Sequence, residues 1–291
     1  LFVAHPLQVQ AVAYIVQRLE SLAAGLYLLS VALYIEARLR RSAGRNWSGW
    51  YAASLAVGVL GTFAKETVVT LPGAVVLIEI CLFRGRRANR PGIAARIALA
   101  APYVLVGLLV PLTLLILTPT RGAFGTDLSP LSGAAPGQSQ WEYFITQLRV
   151  VAAYLRLTLL PAWQSFDPYV RTSRTLWEGV TLGSLAALAL ILGAAVSSAR
   201  RWPLQAVGVL WVFLTLSPTS SVVPIFDLMF EHRMYLPLAG AALTLAAMFS
   251  SAWRLLQRRG LAARAAVACV VAVVVLFGAL TIRRNWTWMD G

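Results

Sequence analysis

Apolar residues run in stretches of about 20, the length needed to cross hydrocarbon as an α-helix, and short polar or arginine-rich segments separate them. Eight such stretches are read: 20–37, 50–64, 67–83, 97–118, 177–197, 203–217, 234–252 and 263–282. The second and third meet at Ala64-Lys65-Glu66, which predicts a tight helical hairpin with an ion pair at its tip. Pro203 and Pro218 bound the shortest stretch and set its ends, because proline lacks the amide that continues a helix. A ninth candidate, 141–160, carries Glu142, Thr146, Arg149 and Arg156 at helical spacing. That is a charged stripe on an apolar cylinder, so an interfacial or re-entrant helix is expected. The segment 7–19 follows the same pattern, with Pro6 at a helix start and Gln10, Tyr14, Gln17 and Ser21 on one face, and predicts a second surface helix. The Gly-, Ser- and Pro-rich stretch 119–140 reads as a connection or lid.

Composition agrees with the pattern. With 59% hydrophobic residues, 12% charged residues and a mean hydropathy of +0.72, the chain lacks the polar surface to cover a soluble globule of 291 residues. The expected class is therefore an all-α polytopic membrane protein of about eight transmembrane helices, with interfacial helices on the outer face. A net charge of +14 would suggest nucleic acid in a soluble protein, but here it follows the positive-inside rule and implies no nucleic-acid partner. Arg38, Arg40, Arg41 and Arg45; Arg84, Arg86, Arg87, Arg90 and Arg96; Arg200 and Arg201; and Arg254, Arg258, Arg259 and Arg264 mark four cytoplasmic loops. All of the eleven acids except Glu36 and Glu79 then fall on the external side. Cys81 and Cys269 sit within apolar runs and read as unreactive core thiols. Trp47, Trp50, Trp141, Trp177, Trp286 and Trp288 suit interfacial anchors.

No phosphate-cradling glycine loop, zinc-spaced His/Cys set or nucleophile elbow is present, and two histidines leave no histidine-rich metal site. No metal or cofactor is expected. What remains is a polar set on the external side: His5, Gln8, Gln17, Arg18, Glu20, Lys65, Glu66, Arg149, Arg156, Asp167, Asp227, Glu231, His232 and Arg233. Lys65 is the chain's one lysine, and Glu231-His232-Arg233 leads without a break into an apolar stretch. Ionisable groups at membrane depth are costly and mark functional sites by default. Lys65-Glu66 equally suits a hairpin cap, Arg149 and Arg156 a solvated stripe, and His5 a helix-entry residue. Arginines suit bidentate contact with phosphate, and a carboxylate can act as a base, so the mixture fits an anionic lipid-linked substrate.

Four ordered motifs carry a resemblance over essentially the whole chain. They are His5-Pro6-Leu7-Gln8-Val9-Gln10-Ala11-Val12-Ala13-Tyr14-Ile15-Val16-Gln17-Arg18-Leu19-Glu20-Ser21-Leu22, Lys65-Glu66-Thr67-Val68-Val69-Thr70-Leu71-Pro72, Ser217-Pro218-Thr219-Ser220-Ser221, and Glu231-His232-Arg233-Met234-Tyr235-Leu236-Pro237. Together they resemble the membrane part of the bacterial tetratricopeptide-containing O-mannosyltransferase-like proteins. The resemblance implies a GT-C glycosyltransferase fold over 1–291 as one transmembrane domain. It also implies a polyprenyl-phosphate sugar donor, a protein hydroxyl as acceptor, and a site on the periplasmic face of the bacterial inner membrane. In that family a tetratricopeptide array follows the last span, and the catalytic acid lies in the first external loop. The first span and that loop are expected upstream of Leu1, which leaves Glu20, Glu66 and His5 as the catalytic candidates within the chain. Lys65, Arg233, His232, Glu231, Arg149 and Arg156 are the expected donor-phosphate set. A transporter or flippase for a lipid-linked anion and a non-catalytic membrane scaffold are the competing readings. Paired inverted halves would mark a transporter, and the two halves of this chain do not resemble each other.

Overall fold

The computed structural model describes residues 1–83, 93–117, 139–165, 168–220, 228–258 and 263–287. The described residues form helices and connecting turns, with no strand among them. The helices are α1 (Val9–Ala13), α2 (Arg18–Ser42), α3 (Ser48–Thr62), α4 (Leu71–Cys81), α5 (Ile93–Leu117), α6 (Gln140–Leu159), α7 (Gly179–Ser198), α8 (Pro203–Leu216), α9 (Tyr235–Arg258) and α10 (Ala263–Trp286). Seven of the eight apolar stretches each form one helix. Five helical segments are long and apolar enough to cross a membrane: Ile15–Ser42, Ala94–Leu112, Gly179–Ser198, Glu231–Gln257 and Val267–Trp286; α8 is a shorter apolar helix. The expected 67–83 run divides at Leu71 into a 3₁₀ segment, Glu66–Thr70, and the short α4.

One core packs α2, α3, α4 and α5 around Tyr27, Tyr34, Leu71, Ile78 and Tyr103. Helices α8 and α9 cross with backbones nearly touching, because Gly208 and Gly240 face each other. A methyl group on Gly240 would come within 2.6 Å of the Gly208 carbonyl oxygen. Small residues permit such approach, and in lipid this packing, with hydrogen bonds, replaces the hydrophobic force. Trp211 Nε1 donates to the Leu236 carbonyl (3.1 Å), securing the same contact.

The two acids assigned to the arginine-rich side both pair there. Glu36 accepts from Arg40 one turn along α2 (2.6 Å). Glu79, buried on α4, pairs with Arg38 and accepts from the Tyr34 hydroxyl (2.7 Å). Both cysteines are free thiols; Cys81 is buried, whereas Cys269 lies on the exposed face of α10, so the core reading holds only for the first.

The N-terminal segment is not one surface helix. It is a 3₁₀ turn (Pro6–Gln8), the single-turn α1 and a second 3₁₀ turn (Ile15–Gln17). The break comes at Tyr14, whose extended backbone (φ −79°, ψ 112°) interrupts the ladder before α2 begins. The 141–160 stretch does form a helix, started by a capping box in which Ser139 and Glu142 exchange side-chain and backbone hydrogen bonds. Its polar stripe is largely absorbed by protein: Thr146 is buried and accepts the Ser173 amide (2.9 Å), and Arg149 donates to the Arg171 carbonyl (3.0 Å). The expected lid 119–140 falls almost wholly outside the described residues, as do Asp167 and Asp227.

Candidate functional site

The described members of the predicted external set gather at one end of the bundle, because α2 starts there, the α3–α4 hairpin turns there and α9 starts there. Residues 63–65 carry the hairpin turn, and Lys65 is extended (φ −162°, ψ 152°) ahead of the 3₁₀ segment. Its ammonium does not pair with Glu66. It reaches Glu20 on the first turn of α2 (2.6 Å) and donates to Gln17 Oε1 (3.3 Å). Glu20 is only 1% exposed, so Lys65 neutralises a carboxylate that would otherwise be stranded in apolar surroundings. Arg233 and Glu66 also act on that carboxylate through space.

The turn Glu231–Met234 leads into α9 and is buried throughout. The His232 amide donates to Gln10 Oε1 (2.7 Å), and its ring stacks on Phe230 (5.1 Å between centroids). Nδ1 of His232 is buried and makes no hydrogen bond. A buried polar atom without a partner costs about 1–3 kcal/mol. Arg233 lies near Tyr154 of α6 and over the Phe230 ring (5.8 Å). Burial pushes the Tyr154 phenol up to about 12. It is therefore neutral, donating to the Phe230 carbonyl (2.8 Å) while accepting the Phe230 amide (2.9 Å).

Glu231 points the other way, dividing the predicted phosphate set in two. It is 1% exposed and accepts from Arg284 of α10 (2.7 Å) and from Gln164 (3.3 Å). Beside it opens a cavity of about 460 Å³ lined by Arg149, Arg156, Arg171, Trp163, Tyr169 and Ser184, among others. Arg149 is fixed against the cavity wall by Ser173 Oγ (3.1 Å) as well as by Arg171. Arg156 is exposed, and its guanidinium has no hydrogen bond or ion pair among the described residues. Three arginines line this one open cavity, and guanidinium groups in such a cluster have the charge and planar donors that phosphate-like anions require. Trp163, 88% exposed, stands between this cavity and a neighbouring one of about 600 Å³ lined by α10 residues Phe277, Leu280, Arg283 and Arg284. Its backbone is left-handed (φ 55°), an uncommon state for a bulky residue.

His5 is committed elsewhere. Its Nε2–H donates to the Thr158 carbonyl (3.0 Å), Nδ1 accepts the Leu7 amide (3.2 Å), and the ring packs edge-on against Phe277 (4.7 Å). Burial lowers its pKa, so it is a neutral imidazole with both nitrogens occupied. Of the described acids, Glu66 is exposed and makes neither an ion pair nor a hydrogen bond with another described residue. Sequence reasoning missed Arg284, Gln164 and Arg171 as site residues. Arg284 sits in an ordinary cationic helix end, and only the fold shows that it faces a buried carboxylate.

Comparison with curated proteins finds the Protein O-mannosyl-transferase Tmtc2 of Drosophila melanogaster, 28% identical over 209 residues, which are 69% of this chain and 21% of that protein. The chain thus spans about a fifth of the length of that relative. No family model matches the chain, and no solved structure does. The chain is an all-helical, multi-pass type with distant homology to a protein O-mannosyltransferase.

Proposed function

We propose that this chain is the membrane-embedded part of a glycosyltransferase that moves a sugar from a polyprenyl-phosphate donor to a protein hydroxyl on the periplasmic face of a bacterial inner membrane. The observation that carries the reading is the cavity with three arginines beside a buried acid–cation cluster, at the end of the bundle opposite the paired Arg38 and Glu79. Arg156 and Arg149 hold the donor phosphate at the cavity. Lys65 and Arg233 lie across the Glu231–Met234 turn from that cavity and act on the phosphate only through space, their positive potential favouring the charge that grows on it as the sugar departs. The acceptor oxygen bonds to the anomeric carbon, the bond from that carbon to the phosphate oxygen breaks, and polyprenyl phosphate leaves. The hydroxyl proton passes to a carboxylate. Among Glu20, Glu66 and Glu231, Glu66 is left for that role, since Glu20 and Glu231 are held in ion pairs.

The full-length protein in lipid nanodiscs, given a short-chain polyprenyl-phosphate mannose, tests the assignment. Losing one charge-assisted contact costs about 1.5–3 kcal/mol, roughly ten- to a hundredfold. Arg156→Ala and Arg233→Ala are expected to weaken donor binding or turnover by that factor, while Arg258→Ala changes neither. Glu66→Gln is expected to keep donor binding and lose turnover by about a hundredfold or more. Equal behaviour of Arg156→Ala and Arg258→Ala removes the cavity from the mechanism. Transbilayer movement of the donor without transfer turns the reading to a flippase.

A further inference from the structure

At the other end of the molecule the turn between α2 and α3 concentrates cations beside an apolar groove. Helix α2 ends in Arg40-Arg41-Ser42, and Gly44 adopts the left-handed backbone (φ +68°) that closes a Schellman motif. The Gly44 amide donates to the Arg41 carbonyl (3.2 Å) and the Arg45 amide to the Arg40 carbonyl (2.9 Å). The chain therefore doubles back and brings Arg45, Asn46 and Trp47 beside the last turn of α2. The guanidinium of Arg40 lies over Trp50 (4.5 Å) and that of Arg41 over Trp47 (4.8 Å), so both are held by aromatic faces. Glu36 already pairs with Arg40, whereas neither Arg41 nor Arg45 meets an acid among the described residues. Next to them is a cavity of about 440 Å³ lined by the apolar Leu33 and Ala53 together with Arg40, Asn46, Gly49 and Trp50; Arg40 is the arginine that lines it, and Arg41 and Arg45 flank it on the adjoining turn. Nothing lies within 4 Å of where a Gly49 side chain would begin, which keeps the rim open.

We propose that this turn binds the headgroup of an anionic phospholipid, with Arg40, Arg41 and Arg45 around the phosphate and an acyl chain along Leu33 and Ala53. The pairing of a cationic rim with an apolar floor distinguishes a lipid from a free anion, because inorganic phosphate gains nothing from the floor. Trp50 in the lining and Trp47 on the adjoining turn fit the headgroup level, where amphipathic rings collect. Basic residues immediately beside a membrane helix attract anionic lipid, each by about a fivefold gain in affinity.

Native mass spectrometry of the purified full-length protein in detergent, titrated with phosphatidylglycerol or phosphatidylcholine, reads this directly. Phosphatidylglycerol is expected to bind at least about tenfold more tightly than phosphatidylcholine. The double variant Arg41→Gln/Arg45→Gln is expected to lose about twenty-fivefold of that affinity. Trp50→Phe keeps a stacking face and is expected to retain binding, while Trp50→Leu loses it. Arg201→Gln, which removes another tryptophan-stacked arginine (5.7 Å from Trp202) away from this cavity, is expected to change nothing. Equal affinity for the two lipids, an equal loss from Arg201→Gln, or full competition by millimolar inorganic phosphate would overturn the proposal.

Discussion

Removal of the Arg284 guanidinium is the sharpest test of how the outer end is assembled. Helix α10 meets the body of the protein there through one face: Phe277 packs on His5, Thr281 donates to the Ala4 carbonyl (2.8 Å), and Arg284 donates to Glu231 (2.7 Å). Residues four and three apart lie on one side of a helix, so the three contacts act as a single seam. Arg284→Met keeps most of the side-chain volume but leaves the Glu231 carboxylate buried with neutral partners alone. Breaking one side of a buried pair costs about 3–5 kcal/mol when the stranded group stays charged, and burial already pushes the Glu231 carboxyl up to about 7, so protonation relieves part of that cost. The Arg284 side chain is 14% exposed, so residual hydration argues for the lower half of that range. Glu231→Gln in the Arg284→Met background removes the stranded charge and is expected to recover most of the loss. Reversible unfolding in micelles, run as a double-mutant cycle, is expected to give a coupling of about 2 kcal/mol or more. Additivity within about 0.5 kcal/mol would refute the reasoning, because independent sites behave that way.

Burial holds the His5 pKa below its ordinary value, so the unfolded chain takes up a proton first as pH falls. The stability His5 contributes is whole above about pH 6.5 and declines below it; thermal melts of His5→Asn are expected to show a shallower loss between pH 7 and 5, and an unchanged slope would contradict the neutral assignment. Trp163→Gly relieves the left-handed backbone while removing the ring between the two cavities. Strain relief and the flexibility of glycine are each about 1 kcal/mol and oppose, so an almost unchanged melting temperature with weaker donor binding is expected; a large stability change with intact binding would count against a ligand-facing Trp163. Cysteines placed at Ser42, Asn89 and Gln257 are expected to be shielded from an impermeant thiol reagent in intact cells while one at Ser132 labels. The reverse pattern at Asn89 and Ser132 inverts the orientation.

The apolar spacing along the chain was enough to place the helices, because a backbone in hydrocarbon must satisfy its own hydrogen bonds and so turns helical wherever polar residues run out. Seven of the eight stretches each became one helix, the 67–83 stretch divided at Leu71, and Pro203, Gly44 and the Ser139–Glu142 box mark ends that local chemistry dictates. The same logic grouped Lys65, Glu20 and Glu231-His232-Arg233 at one end. Partner choice was beyond it. Lys65 passes over its neighbour Glu66 for Glu20, and Glu231 meets Arg284, 53 residues away. The predicted phosphate set splits around the 231–234 turn, and His5 is occupied by a carbonyl 153 residues away. Helical periodicity specifies which face of its own helix a charge occupies, but not which neighbour that face meets. That is decided when helices pack, as at Gly208 and Gly240, and a buried charge then takes the counter-charge that packing brings within reach, since leaving it unpaired costs more than any local preference can offset.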